Sequence, residues 1–192
     1  MNLLLLSPAR PRTERFFSGR GDCLKRTEER LLPDDPRWER MDYAVSFGYR
    51  HLLPAEITRN QMGKIINVHI SYLPWNRGAD PNLWSFLENT PKGVSVHLID
   101  EGMDTGPILA QQRVAMQPDD TLTTSFQRLE SEGEALLISL WEDFVDGGIK
   151  PRAQTGEGTT HRMRDKEPWL PRLAHGWETP VRSLEGAALS AQ

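Results

Sequence analysis

The sequence of 192 residues lacks features that several large classes of protein need. It contains a single cysteine, Cys23, which excludes an intrachain disulfide framework and a zinc cluster built on cysteines. No apolar stretch approaches the ~20 residues of a membrane-spanning helix. The leucine run at residues 3–6 is too short for a signal-peptide core, and Pro8 and Arg10 follow it at once. We therefore expect a soluble cytoplasmic protein that makes no contact with a membrane.

An excess of positive charge is also missing. The formal net charge is −4 at pH 7, whereas a general nucleic-acid binder presents a strongly basic face. We therefore expect a small-molecule ligand and no nucleic-acid partner. The sequence does have 38% hydrophobic residues and six tryptophans, which suffice for the core of one domain of this length.

The order of the apolar patterns predicts an α/β fold. Short apolar, β-branched runs are typical of buried strands, and they occur at 2–7, 43–47, 65–70, 93–99 and 108–114. A further short strand is predicted near residues 22–25. Helical patterns occur at 13–17, 55–58, 82–89 and 121–145. Such alternation indicates a mostly parallel twisted sheet flanked by helices. We assign this domain to residues 1–150 and a polar extension, partly disordered from Gly186 onward, to residues 151–192.

Polar side chains occur on two of the predicted strands, where a buried strand has no structural need for them. Asn67 and His69 are two residues apart, so both lie on the same face of an extended strand. The strand at 93–99 leads into the loop Asp-Glu-Gly-Met-Asp-Thr-Gly at 100–106, which can return Asp104 to the neighbouring strand. Amide, imidazole and carboxylate groups that converge in this way suit proton transfer and oxyanion stabilisation.

Taken singly, each motif has a structural alternative that the residues leave open. Asn67 and His69 are compatible with a buried hydrogen-bonded pair, and Asp104 with an Asx-turn between strands. The Asp-Thr-Gly sequence at 104–106 also occurs in aspartic proteases, which need two carboxylates that share a proton. Only one such loop is present, so that class is excluded.

Taken together, the two motifs resemble those of the folate-dependent formyltransferases. They are Asn-Val-His-Ile-Ser-Tyr-Leu-Pro at 67–74 and Asp-Glu-Gly-Met-Asp-Thr-Gly-Pro-Ile at 100–108. This family includes glycinamide ribonucleotide, methionyl-tRNA and sugar-nucleotide N-formyltransferases. The resemblance covers residues 43–111 well and is looser as far as Lys150. It implies a Rossmann-like catalytic domain, 10-formyltetrahydrofolate as formyl donor, a primary amine as acceptor and no metal.

By this resemblance Asn67, His69 and Asp104 are the catalytic residues. When an amine attacks a formyl carbon, the formyl oxygen becomes an oxyanion, to which Asn67 and protonated His69 can donate hydrogen bonds. Asp104 can hold His69 in place and help to remove the proton from the attacking amine.

The resemblance also implies two binding regions. The folate would be lined by Phe47, Tyr49, Arg50, His51, Leu52, His97, Ile99, Asp100 and Glu101. The acceptor would be bound by Trp75, Asn76 and Arg77, in a loop that resembles that of the sugar N-formyltransferases. Taken by position alone, Arg50 and His51 also fit a solvated loop end. Arg77 can pair with a phosphate or a carboxylate.

The chain departs from the family pattern near its start. Fewer residues precede Asn67 than in the family, which indicates a shortened N-terminal half. Residues 7–11 read Ser-Pro-Ala-Arg-Pro, where the glycinamide ribonucleotide enzymes carry a glycine-rich phosphate loop. The segment after Lys150 can barely form the C-terminal barrel of the methionyl-tRNA enzymes. We therefore predict an amino-sugar nucleotide as acceptor. The alternatives are a 10-formyltetrahydrofolate hydrolase and a non-catalytic folate- or partner-binding remnant, and a homodimer stays open.

Overall fold

The computed structural model describes residues 1–191 and contains eight strands within that range. They are β1 Asn2–Leu6, β2 Cys23–Thr27, β3 Tyr43–Phe47, β4 Ile65–His69, β5 Arg77–Gly78, β6 Gly93–Leu98, β7 Ile108–Arg113 and β8 Thr160–His161. The α-helices are α1 Pro11–Gly19, α2 Arg37–Arg40, α3 Ala55–Asn60, α4 Pro81–Leu87 and α5 Leu122–Val145. Shorter 3₁₀ segments follow from Met163 onward.

Six of the strands form one sheet in the order β2-β1-β3-β4-β6-β7, and β5 pairs with β8. The β1–β2, β1–β3 and β3–β4 pairs are parallel. Strands β6 and β7 form an antiparallel hairpin, because Leu98 N donates to Pro107 O at one end and Val114 N donates to Lys92 O at the other. The prediction of an α/β fold with a mostly parallel sheet is confirmed.

The chain divides into two compact units that do not match the predicted division at residue 150. The first comprises Met1–His69, Val96–Ala110 and Glu134–Ala153, and the second comprises Ile70–Ser95, Gln111–Gly133 and the chain from Gln154 onward. Strands β6 and β7 and helix α5 each pass from one unit to the other. The polar extension is therefore part of a unit that also contains the middle of the chain.

The core of the first unit is built from the continuous apolar runs of its parallel strands. Leu4, Ala44 and Ile65 pack there with Trp38 and Met41. Burial of a large apolar side chain contributes about 1.5–3 kcal/mol. Two parallel strands covered in this way place their carboxyl ends at one edge of the sheet, which is the edge where open α/β sheets bind ligands.

The core of the second unit is formed around α4, all seven residues of which are buried. Val181, Leu184 and Ala187 pack against this helix, and Gly186 N donates a hydrogen bond to Phe86 O at 2.9 Å. Residues 186–190, for which disorder is predicted from the sequence, thus have contacts with this helix; Gln192 lies outside the described residues. Three apolar residues spaced by three are too few to form a detectable pattern, although they suffice to cover one helix.

Helix α5 agrees with the predicted amphipathic helix at 121–145. Leu122, Leu129, Leu137 and Trp141 are buried along its length, and the Thr121 hydroxyl accepts a hydrogen bond from Thr124 N at its start. Of the helices within residues 1–191, none is both long and apolar enough to cross a membrane.

Candidate active site

Strand β4 presents Asn67 and His69 on one face. The strand pairs in parallel with β3, so that Asn67 lies opposite Ser46 and Val68 opposite Phe47. Ile66 and Val68 are 0% and 3% exposed and occupy the other face, since alternate residues of a strand point in opposite directions. The polar face therefore lies at the carboxyl-terminal half of a strand that the core holds firmly.

The loop between β6 and β7 brings Asp104 to this face. Asp104 adopts a left-handed conformation with φ 52°, which aspartate tolerates better than most residues. The Asp100 carboxylate supports the loop, because its Oδ1 accepts hydrogen bonds from Gly102 N at 3.0 Å and Thr105 Oγ1 at 2.7 Å. Gly106 is buried, and a Cβ there would overlap the carbonyl oxygen of Leu98. The loop is thus a specific support for one carboxylate.

The three residues predicted to be catalytic lie together. Asn67 Nδ2 donates to Asp104 Oδ1 at 3.1 Å, and His69 Nδ1 lies 3.6 Å from Asp104 Oδ2. The second distance is long for a direct hydrogen bond, as is common for catalytic groups before substrate binds. The side chains of His69 and Asp104 are 9% and 15% exposed, so the cluster is largely shielded from water and still accessible.

The side chain of His97, a residue of the predicted folate lining, belongs to the same cluster. Its side chain is 2% exposed and its Nε2 lies 3.4 Å from Asp104 Oδ1. The same nitrogen lies 3.2 Å from Asn67 Nδ2. An imidazole covered to this extent and directed at Asn67 has no open face for a cofactor. In the sequence, the alternation of Ser95 and His97 indicates that both lie on one face of β6. It does not indicate which strand lies beside that face.

The side chains of two further residues of the predicted folate lining make structural contacts. Phe47 is 1% exposed, and the Arg10 guanidinium carbon lies 3.5 Å from the centre of its ring. The Tyr49 hydroxyl donates to Glu29 O at 2.6 Å and accepts from Leu31 N at 3.2 Å. Burial raises the pKa of this phenol. The aromatic side chains of both residues therefore stabilise the first unit and leave little surface for a ligand.

The remaining members of that set lie on or near the surface. Arg50, His51 and Leu52 are exposed, and Leu52 is 74% exposed, which is unusual for a residue of this size. Ile99 packs against the core of the first unit, and its backbone N–H donates to Ile65 O at 2.9 Å. Glu101 is exposed and lies 3.4 Å from Arg59 Nη1.

The predicted acceptor loop lies in the second unit, where its three residues have different environments. Asn76 is 0% exposed; its Nδ2 donates to Glu88 Oε2 at 3.0 Å and its Oδ1 accepts from Thr90 Oγ1 at 2.7 Å. The side chain of Asn76 therefore has a structural role in holding this loop. Arg77 is partly exposed, and its Nε and Nη2 donate to Gln154 Oε1 at 3.0 and 2.7 Å. Trp75 is also partly exposed.

Sequence reasoning missed the polar cluster that surrounds Asn76. Thr159 Oγ1 donates to Glu88 Oε2 at 2.9 Å, and His161 Nε2 lies 3.0 Å from Glu88 Oε1. The His161 ring stacks on Trp84 with 3.7 Å between ring centres. More than seventy residues separate the partners, so nothing local in the sequence indicates them.

Comparison with known proteins assigns the family. Residues 25–140, more than half of the chain, match the family described as formyl transferase. The chain is 36% identical over 118 residues to methionyl-tRNA formyltransferase of Myxococcus xanthus, covering 61% of this chain and 38% of that protein. It is 30% identical over 129 residues to dTDP-4-amino-4,6-dideoxyglucose formyltransferase of Mycobacterium bovis, covering 67% of this chain and 54% of that protein. The chain therefore belongs to the formyl transferase family, although it spans only 38–54% of the length of these two relatives.

A solved structure agrees over nearly the full length. It is the formyltransferase PseJ from Anoxybacillus kamchatkensis, in complex with UDP-4,6-dideoxy-4-formamido-L-AltNAc and tetrahydrofolate. The sequence identity is 40% and the TM-score 0.95, with 98% of this chain and 100% of that chain covered. The agreement therefore extends over both compact units, each taken by itself, to a protein whose structure contains both ligands.

Proposed function

We propose that the protein transfers a formyl group from 10-formyltetrahydrofolate to the primary amine of an amino-sugar nucleotide. The observation that carries this proposal is the convergence of Asn67, His69 and Asp104 on one shielded face at the end of β4. The complex of PseJ supports the choice of substrates, because it contains a formylated amino-sugar nucleotide and a folate without its formyl group.

The exposed segment after β3 fits the formyl donor. When bound, this folate supplies an electrophilic formyl carbon, an aromatic pteridine ring and anionic carboxylates. Leu52 offers apolar surface to a ring, and Arg50 offers a cation to a carboxylate. The backbone of residues 99–101 supplies further hydrogen-bonding groups on the same unit.

The cluster on β4 then has three tasks. Asn67 and His69 donate hydrogen bonds to the formyl oxygen as its negative charge develops, and such donors stabilise the transition state more than the ground state. Asp104 accepts the proton that the amine must lose when its nitrogen bonds to carbon. The proton finally reaches the folate nitrogen whose bond to the formyl carbon breaks, so the charges balance without an added reactant.

In this proposal Arg77 and Trp75 recognise the acceptor. Gln154 holds the Arg77 guanidinium through a neutral oxygen, which orients its positive charge without cancelling it. Such a cation suits the diphosphate of a sugar nucleotide. Trp75 provides a flat apolar surface for a sugar or base ring.

Purified protein incubated with 10-formyltetrahydrofolate and a panel of UDP- and dTDP-linked amino sugars tests the proposal, with tetrahydrofolate release as readout. We expect release to depend on one class of acceptor and to be absent with glycinamide ribonucleotide. His69→Asn should lower the rate by about 10²–10³-fold, the usual cost of losing one oxyanion donor. His175→Asn, at an exposed histidine, is the matched control. Equal rates for these two variants would show the site assignment to be wrong.

A further inference from the structure

His97 is held in one tautomer by its own strand. Its Nδ1 lies 2.8 Å from the carbonyl oxygen of Leu98. A peptide carbonyl only accepts hydrogen bonds, so Nδ1 must carry a proton. In neutral His97 the other nitrogen, Nε2, is therefore an acceptor.

This acceptor lies near Asn67 and also 3.4 Å from Asp104 Oδ1. The Nδ2 atom of Asn67 lies 3.2 Å from His97 Nε2 and donates a second hydrogen bond to Asp104 Oδ1 at 3.1 Å. An amide NH₂ group has two protons, and both are accounted for by these contacts. If the amide were rotated by 180°, its oxygen would face a carboxylate oxygen and the lone pair of Nε2. Two acceptors therefore fix the direction of one donor group.

We propose that His97 is a positioning residue for formyl transfer, because its Nε2 fixes which way the Asn67 amide is turned before the formyl oxygen becomes charged. This role rests on the proposed function, in which Asn67 stabilises the oxyanion. It differs from a contact with folate, since the covered His97 ring acts only through its neighbour.

The kind of acceptor that holds Asn67 is also suited to catalysis. Before the reaction, one N–H of Asn67 is bonded to a neutral nitrogen. A developing oxyanion is a stronger acceptor, because hydrogen bonds to ionised groups are roughly twice as strong as neutral ones. The exchange of His97 for the oxyanion therefore strengthens the hydrogen bond only as the transition state forms, which is the condition for a lower barrier. A second carboxylate in place of His97 would retain the amide too firmly.

Substitutions of His97 in two backgrounds test this role. His97→Phe keeps a ring of similar size but removes the acceptor, whereas His97→Gln places an amide oxygen near the position of Nε2. In the parent protein we expect His97→Phe to lower kcat about tenfold with the KM for folate unchanged, which is less than the loss of the donor itself. His97→Gln should restore most of the rate. In an Asn67→Ala background, His97→Phe should cause no further loss, because coupled residues are not additive.

An equal loss in both backgrounds would overturn the proposal, as would a loss that His97→Gln does not relieve. Nitrogen-15 NMR of labelled histidine gives a readout that needs no turnover: we expect a protonated Nδ1 and a bare Nε2 at His97. A protonated Nε2 in the neutral ring would contradict the positioning role even in an active enzyme. The predicted tautomer in a protein that transfers no formyl group would contradict the proposed function alone. Thermal unfolding of each variant identifies any loss that is due to misfolding.

Discussion

The two units each contain a buried cluster made from an asparagine, a histidine and a carboxylate, yet the clusters differ in kind. In the second unit Asn76 is fully buried, Glu88 accepts hydrogen bonds from Asn76 and Thr159, and His161 is covered by Trp84. In the first unit the Asp104 side chain is 15% exposed, and hydrogen bonds within its loop hold it in place.

The difference shows that residue types do not identify an active site. In the second unit the polar atoms of the cluster bond to one another and are covered by an aromatic ring. Such a cluster links chain segments, here the 74–80 loop and the 154–161 segment. The cluster in the first unit lies at the carboxyl-terminal half of a strand. Its His69–Asp104 distance is long and its side chains are partly exposed, so it can still bind a substrate. Substitution of carboxylates in each region should separate these roles.

The largest effect is expected at Asp104. Asp104→Asn keeps the shape of the side chain but removes the charge that faces Asn67, His69 and His97. We expect the rate of formyl transfer to fall by at least ~10²-fold, since proton transfer and donor alignment are both impaired. The free energy of unfolding should stay within about 1 kcal/mol of the parent value. Steady-state kinetics and urea unfolding of the same preparation check both expectations.

Glu88 should show the reverse behaviour. Glu88→Ala leaves Asn76 and Thr159 without their shared acceptor and removes the carboxylate beside His161, and we expect a loss of roughly 2–3 kcal/mol in the free energy of unfolding. The rate at saturating acceptor should be retained. Glu88→Gln, which keeps an acceptor oxygen, is the control and should lose less. A fall in kcat larger than that of Asp104→Asn would contradict the distinction between the clusters.

Asp120 extends the test to a second structural carboxylate and to pH. Burial acts to raise its pKa, but hydrogen bonds from Arg128, Gln117 N and Thr124 outweigh it and lower the pKa below the ordinary 3.8. The stabilisation is therefore present above the ordinary value and is lost as the pH falls through the lowered one. Asp120→Asn should cost about 1–2 kcal/mol at pH 7. The difference from the parent should shrink as the pH falls below about 4, as followed by urea unfolding.

The smallest effect is expected at Glu101. It lies beside the Asp104 loop, but its side chain and that of Arg59 are 56% and 59% exposed, and exposed pairs contribute little. If the folate is bound there by main-chain groups, Glu101→Gln should leave both the KM for folate and the midpoint of unfolding unchanged. A large rise in that KM would show that the side chain itself contacts the donor.

Most of the fold could be predicted because its signals are local. Buried parallel strands such as 43–47 appear as continuous apolar runs, and the helix at 121–145 has a clear period. The short pairs β5 and β8 could not be predicted, since two residues have no period and their partners are distant in sequence. The packing of the C-terminal segment could not be predicted for the same reason: its few apolar residues form no pattern of their own and are buried only by contact with α4.

The site was predictable to the extent that its residues share a strand or a motif. Asn67 and His69 share a face of β4, and the glycines around Asp104 indicate a tight loop. The side-chain partners of Asn76 and His97 could not be predicted, because another segment brings each of them: Glu88 for Asn76, and Asn67 for His97. Hydrogen bonds between such segments become visible only in three dimensions.

The most direct test of the central claim follows the formyl group itself. Protein is mixed with 10-formyltetrahydrofolate labelled with carbon-13 in the formyl group and with an active amino-sugar nucleotide, and the product is examined by NMR. We predict one labelled formamide on the sugar for each tetrahydrofolate released, and no release when the acceptor is omitted or Asp104 is replaced by Asn. Labelled formate that forms at the same rate with or without the acceptor would contradict the account, because water would then be taking the place of the amine.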